Sequence, residues 1–495
     1  MNKNIPKYRS FCLVCCGLLA GCAVGPDYKR PEVPVPERFK ELADWTKAAP
    51  ADAAPKGEWW TDFHDELLDR LEPMVAVSNQ TVRQSYANYQ QVLAQVQVAR
   101  SELFPTLGVA ASASRSGGPG NAASLTTTSK RSVVSSGSLE LEAGWTLDLW
   151  GQVRRLVEEN SSVAQADEAT LANATLSEQM LLATTIIDLR TSDASIALEE
   201  KAVDAYRQSL RIVQAQGNAG ISATPPSAVI SAQVALETAQ ATLTGLGVAR
   251  AQYAHAIAVL VGRNPEELDI PRSTTMPALP EVPVVLPSAL LQRRPDIAAA
   301  ERTLQAQNAA IGVAVAAYYP TISLSGAVGF SQSPLDGLLK ASNRIWSIGA
   351  SGTENVLDFG YRSGEVLSAR AAYEGAVASY RGTVLSAFES VENDLSGLRI
   401  LAEEAGQLDV AVRDALRATE IAEQEYQAGT VDYTTVAAAL ETQIVDQQTQ
   451  LNVQQTRLLD TVSLIGDMGG GWTDRQLHEM RHLPAPNPSA TQTGS

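Results

Sequence analysis

The sequence predicts an α+β protein made of two tandem copies of one unit, each with a pair of β-strands followed by a long helical hairpin. Three landmarks recur in the same order about 210 residues apart, which indicates an internal repeat. The recurring pairs are Leu103–Leu107 with Tyr318–Ile322, Asp148–Gly151 with Asp358–Gly360, and Ala219-Gly220 with Ala428-Gly429. We assign the first repeat to residues 58–262, an inter-repeat linker to 263–290 and the second repeat to 291–472.

Strict alternation of apolar and polar residues marks the strands. The clearest strand has one face formed by Leu139, Leu141, Ala143, Trp145, Leu147 and Leu149, and another face that carries Glu140, Glu142 and Asp148. A period of two predicts a β-strand, and a greasy face opposite an acidic one suits a strand between lipid and water. Strands are predicted at about residues 105–115, 135–149, 320–331 and 345–359.

The fourth strand is the weakest, because Glu354 falls in phase with Trp346 and Ile348. A bulge or an early end of the strand would explain this, and the sequence leaves both open. The four segments also fit two hairpins of a soluble sandwich. The rest of the chain offers few other strand patterns, which counts against that alternative.

Each strand pair is followed by a long helical pattern. Residues 152–216 and 361–431 contain no proline, and sixty-odd helical residues span on the order of 100 Å. Apolar residues at steps of three and four form a seam along these segments. This spacing alone also fits a plain coiled-coil spacer, and only the strand pairs between the helices argue against it.

The N-terminus predicts export and a lipid anchor. Lys3, Lys7 and Arg9 precede an apolar run that is too short to span a bilayer, as in a signal peptide covering residues 1–21. Leu19-Ala20-Gly21-Cys22 resembles the bacterial lipobox, in which the cysteine becomes the acylated first residue of the mature chain. The next residue is Ala23 rather than aspartate, and the resemblance therefore implies sorting to the outer membrane.

Removal of the signal also removes every other cysteine, so no intrachain disulfide is possible and packing must hold the fold. Residues 22–57 are rich in proline and alanine, which predicts an extended, acylated tether that holds the folded body away from the lipid. Residues 473–495 form a polar C-terminal tail.

The charge balance excludes some classes of partner. With 38 basic and 55 acidic residues the formal net charge is −17, which argues against nucleic acid as a partner. The sequence after the signal has no apolar run that could form a membrane helix, so a passage through the bilayer would require a closed β-barrel. Since the smallest such barrels use eight strands, four strands per chain imply an obligate homo-oligomer if the protein spans a membrane.

Several motifs together resemble one family, the TolC-like outer-membrane factors of tripartite efflux systems, in their nodulation-type lipoprotein branch. The motifs are Cys22–Tyr28 with the following prolines, His255–Gly262, Leu290–Ile297, Ala300–Arg302, Tyr319–Thr321 and Gly469–Trp472. The resemblance implies an α+β membrane protein: a trimeric twelve-stranded β-barrel, four strands per chain, continuous with a long periplasmic α-helical barrel. An equatorial region of mixed structure would surround the helices.

The resemblance also implies a function and partners. Family members are passive exit ducts for small molecules, with outer-membrane lipid around them. An inner-membrane pump, here of the RND type, supplies the energy, and a periplasmic adaptor joins pump to channel. The adaptor contacts fall at the tips of the helical hairpins, which match Ala219, Gly220, Ile221, Ala428, Gly429 and Thr430. Glycine suits such turns because it tolerates positive φ.

The pore entrance departs from the family pattern. Several members place a ring of carboxylates nine positions after the second-tip glycine, where this chain has Ala438. The candidate gate residues are therefore Asp432, Tyr433, Glu441 and Arg211. Asp432 either pairs with Arg211 as a latch between helices or simply caps the returning helix; the sequence leaves both hypotheses open.

Nothing in the sequence predicts an enzyme, a cofactor or a metal site. The four histidines lack metal-ligand spacing with acids or thiols, and there is no phosphate-binding loop. The function predicted is an efflux channel subunit. The alternative from another class is a periplasmic coiled-coil lipoprotein with a structural role.

Overall fold

The computed structural model describes residues 23–41, 58–118, 132–218, 226–280 and 292–472. The chain divides into two compact units. The described residues of Met1–Pro31, Gln90–Ala166 and Glu301–Ser379 form the first, called the sheet unit below. Those of Glu32–Tyr89, Asp167–Ala300 and Tyr380–Ser495 form the second, called the helical unit.

The order of elements repeats along the chain, which confirms the predicted α+β class. The elements are α1 Glu66–Ser78, α2 Gln80–Ser101, β1 Thr106–Gly118, β2 Ser132–Leu147, α3 Gln152–Asn218, α4 Pro226–Leu260, α5 Pro295–Ala316, β3 Thr321–Gln332, β4 Arg344–Thr353, α6 Tyr361–Gln427 and α7 Tyr433–Asp467. Among the described residues, no helix has an apolar stretch long enough to cross a membrane.

The four strands form one antiparallel sheet in the order β1-β2-β3-β4. The pairing of β2 with β3 joins the two repeats, and Leu141 of β2 lies opposite both Val109 of β1 and Val328 of β3. Because the register is continuous across the sheet, residues of one alternation class share one face on all four strands. Strands β1 and β4 are the two edges.

The fourth strand ends early and has no bulge. Its pairing with β3 runs without interruption between Phe330 opposite Arg344 and Thr321 opposite Thr353. Glu354, which broke the alternation in the sequence, follows the strand, and its carboxylate accepts a bond of 2.6 Å from Arg362 of α6. The predicted end of this strand, at residue 359, was therefore wrong, because an ion pair with the next helix takes Glu354 out of the sheet.

Equivalent corners turn the chain from strand to helix in both repeats. Asp148 accepts hydrogen bonds from the backbone amides of Val153 and Arg154, which begin α3. Asp358 likewise accepts from the amides of Gly360 and Arg362 at the start of α6. These carboxylates satisfy amides that have no partner within the helix, which explains why aspartate recurs in the two landmarks.

The repeat extends to individual contacts at the ends of the returning helices. In the first repeat, a Cβ on Gly262 would lie 2.3 Å from the Ser78 carbonyl oxygen, and the Asn79 side chain donates to the Leu260 carbonyl at 3.0 Å. In the second, a Cβ on Gly469 would lie 2.1 Å from the Arg293 carbonyl oxygen, and Arg294 donates to the Asp467 carbonyl at 3.1 Å.

Both glycines also have positive φ, of 71° and 95°. The close backbone approach and the left-handed turn together require glycine at Gly262 and Gly469. Backbone packing thus explains the glycine that ends the motif His255–Gly262 and the glycine that begins the motif Gly469–Trp472.

The core of the helical unit gathers α1, the middle of α3, the end of α4 and the end of α7. Phe63, Leu68, Ile186, Ile257 and Val462 are among its fully buried members. Glu72 of α1 is also fully buried. Burial raises the pKa of Glu72 to about 9, so its carboxyl is neutral at physiological pH.

The proline-rich N-terminal segment is not a free tether over residues 23–41. In the sheet unit, Arg155 of α3 donates to the Val24 carbonyl and to the Asp27 carboxylate, at 3.2 and 2.9 Å. Asn308 of α5 donates to the Pro26 carbonyl at 3.0 Å. Prolines keep the segment extended as predicted, and these helices satisfy the Val24 and Pro26 carbonyls.

The next part of the segment packs within the helical unit. Phe39 is only 2% exposed and meets the ring of Phe388 edge to face at 6.5 Å. The Glu392 carboxylate accepts from the amides of Lys40 and Glu41, at 2.6 and 3.0 Å. The burial of this aromatic ring and the bonds to Glu392 offset part of the entropy lost in ordering this segment. The remaining residues of the predicted tether, 42–57, lie outside the described part.

Candidate functional site

One face of the sheet is apolar and exposed. The register places Leu141, Val109, Val328 and Trp346 on this face. Large apolar side chains, whose exposure to water is unfavourable, remain uncovered on this face: Trp346 is 75% and Ile348 83% exposed in the single chain. An uncovered apolar face of this size marks a surface that another apolar medium or partner covers.

The opposite face is polar and lined by small side chains. Hydroxyls pair across strands, with Ser112 and Ser138 2.9 Å apart and Ser114 and Ser136 2.8 Å apart. Glu140 and Glu142 lie on this face, opposite Gly329 and Ala327 of β3. A face of hydroxyls, glycines and carboxylates is compatible with water and leaves room for a solute.

The described helical tip is a tight, exposed turn between α6 and α7. Helix α6 ends in a paired hydrogen-bond pattern, in which the Thr430 amide donates to the Glu425 carbonyl and the Gly429 amide to the Tyr426 carbonyl, both at 3.0 Å. Gly429 has a φ of 74° and open space around its Cβ position. The positive φ alone therefore requires glycine here, as the sequence predicted.

Next to this turn, the four helices of the two hairpins, α3, α4, α6 and α7, contribute to a small buried cluster. Its members are Val213 of α3, Ala228 and Ala232 of α4, Ala422 of α6, and Tyr433 and Val436 of α7. Tyr433 meets Tyr426 edge to face at 6.0 Å, and the Tyr426 hydroxyl donates to the side-chain oxygen of Gln216. Burial raises the pKa of Tyr433. This packing holds the two hairpins together near their tips.

The structure separates the four gate candidates. Tyr433 is buried, whereas Asp432, Glu441 and Arg211 are exposed. Arg211 donates to the Arg207 carbonyl at 3.4 Å, and no ion pair within the described chain joins it to Asp432. The predicted latch is thus not formed within one chain, because Arg211 folds back along its own helix.

The capping hypothesis for Asp432 is correct in position but not in chemistry. Asp432 is the N-cap residue of α7, and its side chain makes no capping hydrogen bond. Its backbone carbonyl accepts from the Thr435 amide at 3.0 Å instead. The carboxylate of Asp432 is therefore available for contacts beyond the chain.

The remaining predicted residues divide by whether they are described. Ala428, Gly429 and Thr430 are all exposed at the second tip. Ala219, Gly220 and Ile221 at the first tip, and Cys22 at the lipobox, lie outside the described residues.

Sequence reasoning missed the positioning roles of three residues: Arg155, and Tyr426 with its partner Gln216. Arg155 carries no periodicity signal, because it lies in the first turn of a long helix and two of its partners, the Val24 carbonyl and the Asp27 carboxylate, are far away in the chain. Tyr426 and Gln216 occupy similar positions before the two tips, so the internal repeat was the signal that could have linked them.

The described residues form a sheet with one apolar and one polar face, which suits strands between lipid and water, and two helical hairpins, each made of a 67-residue and a 35-residue helix. The chain belongs to the outer membrane efflux protein family, whose model matches residues 73–263 and 286–470. The chain is accordingly an outer-membrane component of an efflux system.

Individual relatives and a solved structure agree with this family. The chain is 28% identical to the probable efflux pump outer membrane protein TtgC of Pseudomonas putida KT2440, over 92% of this chain and 94% of the relative. It is 29% identical to nodulation protein T of Rhizobium leguminosarum bv. trifolii, over 90% and 92%. It superposes on the outer-membrane channel OprN with a TM-score of 0.84 at 28% identity, covering 91% of this chain and all of that one.

Proposed function

We propose that three copies of this chain form a passive exit duct for small molecules through the outer membrane. The observation that carries the proposal is the two-faced sheet with two unpaired edges, β1 and β4. In lipid, the free amide and carbonyl groups of such edges would cost several kcal/mol each. Copies that pair β4 of one chain with β1 of the next remove both edges, and three copies give twelve strands.

The two faces support an orientation for this assembly. The apolar face that includes Leu141 and Trp346 faces lipid, and the hydroxyl-rich face with Glu140 and Glu142 lines the duct. This arrangement matches the apolar-out and polar-in alternation of strands that span a membrane.

We infer that acyl chains on Cys22 provide a second anchor. The support is the lipobox-like Leu19-Ala20-Gly21-Cys22, together with the docking of the residues that follow it. Val24 donates its amide to the Trp150 carbonyl at 3.0 Å, at the corner where β2 leads into α3. An acylated Cys22 would thus be tied to the end of the sheet.

The proposed partners are a periplasmic adaptor and an inner-membrane pump of the RND type. The names of several relatives describe efflux pump outer membrane proteins, and the exposed turn at Ala428–Thr430 offers a contact surface at the second tip. We assign no enzymatic activity and no cofactor. In the part of the chain that the structure describes, no three acidic, histidine or cysteine side chains are grouped as metal ligands.

The duct is tested by measuring the mass and conductance of the purified protein. We expect the detergent-solubilised protein to have the mass of three chains and to form steady conducting steps in a planar lipid bilayer. A monomeric protein, or a trimer that never conducts, would instead support the structural coiled-coil lipoprotein and contradict the duct.

Replacement of Asp432 tests the gate. In a trimer three Asp432 carboxylates surround the entrance, and these exposed charges are screened over about 8 Å at physiological ionic strength. We expect Asp432→Ala and Asp432→Asn to raise the conductance and to weaken the preference for cations equally, because the side chain makes no capping bond that asparagine would preserve. The bilayer recording measures both quantities.

Glu441→Gln tests the second exposed acid among the gate candidates, and Glu404→Gln, exposed on α6 and outside the candidate set, is the control that should leave conductance and cation preference unchanged. If asparagine at position 432 behaves like the wild type while alanine does not, capping is the role of Asp432. If neither variant differs from the wild type, Asp432 has no role in gating.

A further inference from the structure

We propose that the hairpin end of the apolar sheet face binds the headgroups of anionic lipids through Arg115 and Arg344. This surface is called the arginine rim. The inference rests on the proposed function, since it requires the apolar face to be embedded in a bilayer, and it adds a lipid class and the residues that recognise it.

Both arginines lie at the same end of the sheet and on the same face. Strand β1 runs towards its hairpin with β2, and β4 begins at its hairpin with β3, so both hairpins lie at one end of the antiparallel sheet. Arg115 is opposite Ser135, and Arg344 is opposite Phe330, which is itself opposite Leu139. Alternation therefore places both arginines on the face that carries Leu139 and Leu141.

Charge is fully separated between the two faces of the described strands. Arg115 and Arg344 are the charged residues of the apolar face, and Glu140 and Glu142 are those of the polar face. Both arginines are exposed, and in the described part of the chain no ion pair involves either of them. The turn between β3 and β4 adds one acid and one base, Asp336 and Lys340, whose charges balance.

Each arginine lies at the end of a run of apolar residues on its strand, at the depth in a bilayer where a charged side chain is tolerated. On β1 the run of the apolar face extends from Leu107 to Ala113 before Arg115, and on β4 it begins at Trp346 directly after Arg344. Eight strand residues span about 26 Å along the strand, which a tilt of about 40° reduces to about 20 Å of height, slightly less than an apolar band of about 25 Å. An arginine at the edge of such a band reaches the headgroup layer, whereas an arginine at its centre would be costly.

The chemistry of the rim selects phosphate-bearing lipids. A guanidinium group donates two parallel hydrogen bonds to a phosphate, and its planar fork suits this geometry better than an ammonium does. Trp346, two residues from Arg344 on the same face, is an aromatic residue of the kind found at membrane interfaces. The apolar run below would hold the acyl chains of the same lipid.

The test uses the acylated full-length chain in phosphatidylcholine vesicles that contain an equal fraction of either brominated phosphatidylglycerol or brominated phosphatidylcholine. Bromine quenches nearby tryptophan, and the signal of Trp346 is obtained as the difference between the wild type and Trp346→Phe. We expect brominated phosphatidylglycerol to quench Trp346 more strongly, with an apparent preference of about fivefold per arginine at low salt.

The preference should fall in Arg115→Gln and in Arg344→Gln and disappear in the double variant. Arg413→Gln is the matched control, because Arg413 is exposed on α6 in the helical unit, and it should keep the full preference. Equal quenching by both lipids in the wild type would overturn the arginine rim, and so would a preference that survives in the double variant. If neither lipid quenches Trp346, the apolar face is not in the bilayer, and the proposed orientation of the duct itself is wrong.

Discussion

Leu141→Arg is expected to prevent assembly of the protein in the outer membrane almost completely. Leu141 lies in the middle of β2, between Val109 and Val328, on the exposed apolar face. A lipid-facing arginine near the middle of the bilayer costs about 2–4 kcal/mol per chain, and each trimer would contain three. The amount of trimer in the outer-membrane fraction, measured after chemical cross-linking, reports the effect.

Glu142→Arg is the matched control for this substitution. Glu142 directly follows Leu141 in β2, lies opposite Gly108 and Ala327, and is therefore on the polar face. The same large cation should be tolerated there, because water and small neighbours surround it. Similar trimer yields from Leu141→Arg and Glu142→Arg would contradict the assignment of the two faces.

Asp65→Ala is expected to destabilise the helical unit by about 3–5 kcal/mol. Asp65 accepts from Arg190 at 2.8 and 3.2 Å, and also from the amides of Leu67 and Leu68 as the N-cap of α1. Both side chains of the ion pair are less than one-tenth exposed. Alanine would leave the Arg190 charge buried without a partner and two amides without an acceptor. The shift of the thermal unfolding midpoint of the purified protein measures the loss.

Two further variants separate the charge from the cap. Asp65→Ala combined with Arg190→Met should recover part of the stability, since it removes the uncompensated buried charge. Asp204→Ala breaks the exposed pair of Asp204 with Arg207 and should change stability by only about 0–1 kcal/mol. An Asp65→Ala variant as stable as Asp204→Ala would show that the buried pair contributes little.

The Asp65 carboxyl also predicts a dependence of stability on pH. Burial alone would raise its pKa, but the hydrogen bond and charge of Arg190, with the amides of Leu68 and Leu67, leave the pKa below its usual value. A folded-state pKa below the unfolded one stabilises the fold above pH 3.8, and this contribution is lost as the pH falls through the folded pKa. Asp65→Asn should lack this part of the acid sensitivity.

The sequence by itself determined the repeated architecture. Alternation of side chains follows directly from strand geometry, and the equal spacing of landmarks follows from the duplication of one unit. The two aspartate corners and the glycine at the second tip could also be predicted, because each depends on backbone geometry within a few residues. The family and its function followed from these local motifs taken together.

Part of the candidate site could be predicted in the same way, and part could not. The two faces of β2 were readable from alternation, whereas the exposed arginines of the arginine rim gained meaning only when the register placed them at one end of one face. The gate residues were chosen by their distance from the tip in the sequence, and this could not show that Arg211 bonds to its own helix.

Only the tertiary structure decided where the proline-rich N-terminal segment lies, where β4 ends and which charges are buried together. Arg155 holds Val24 and Asp27, Arg362 holds Glu354, and Arg190 holds Asp65. The partners of Arg155 and Arg190 lie more than 100 residues away, so their positions depend on how distant elements pack, whereas Arg362 reaches across the corner between β4 and α6. Periodicity records which face of an element is buried, but it carries no information about which distant polar group meets that face, and the long reach of arginine makes many pairings equally compatible with the sequence.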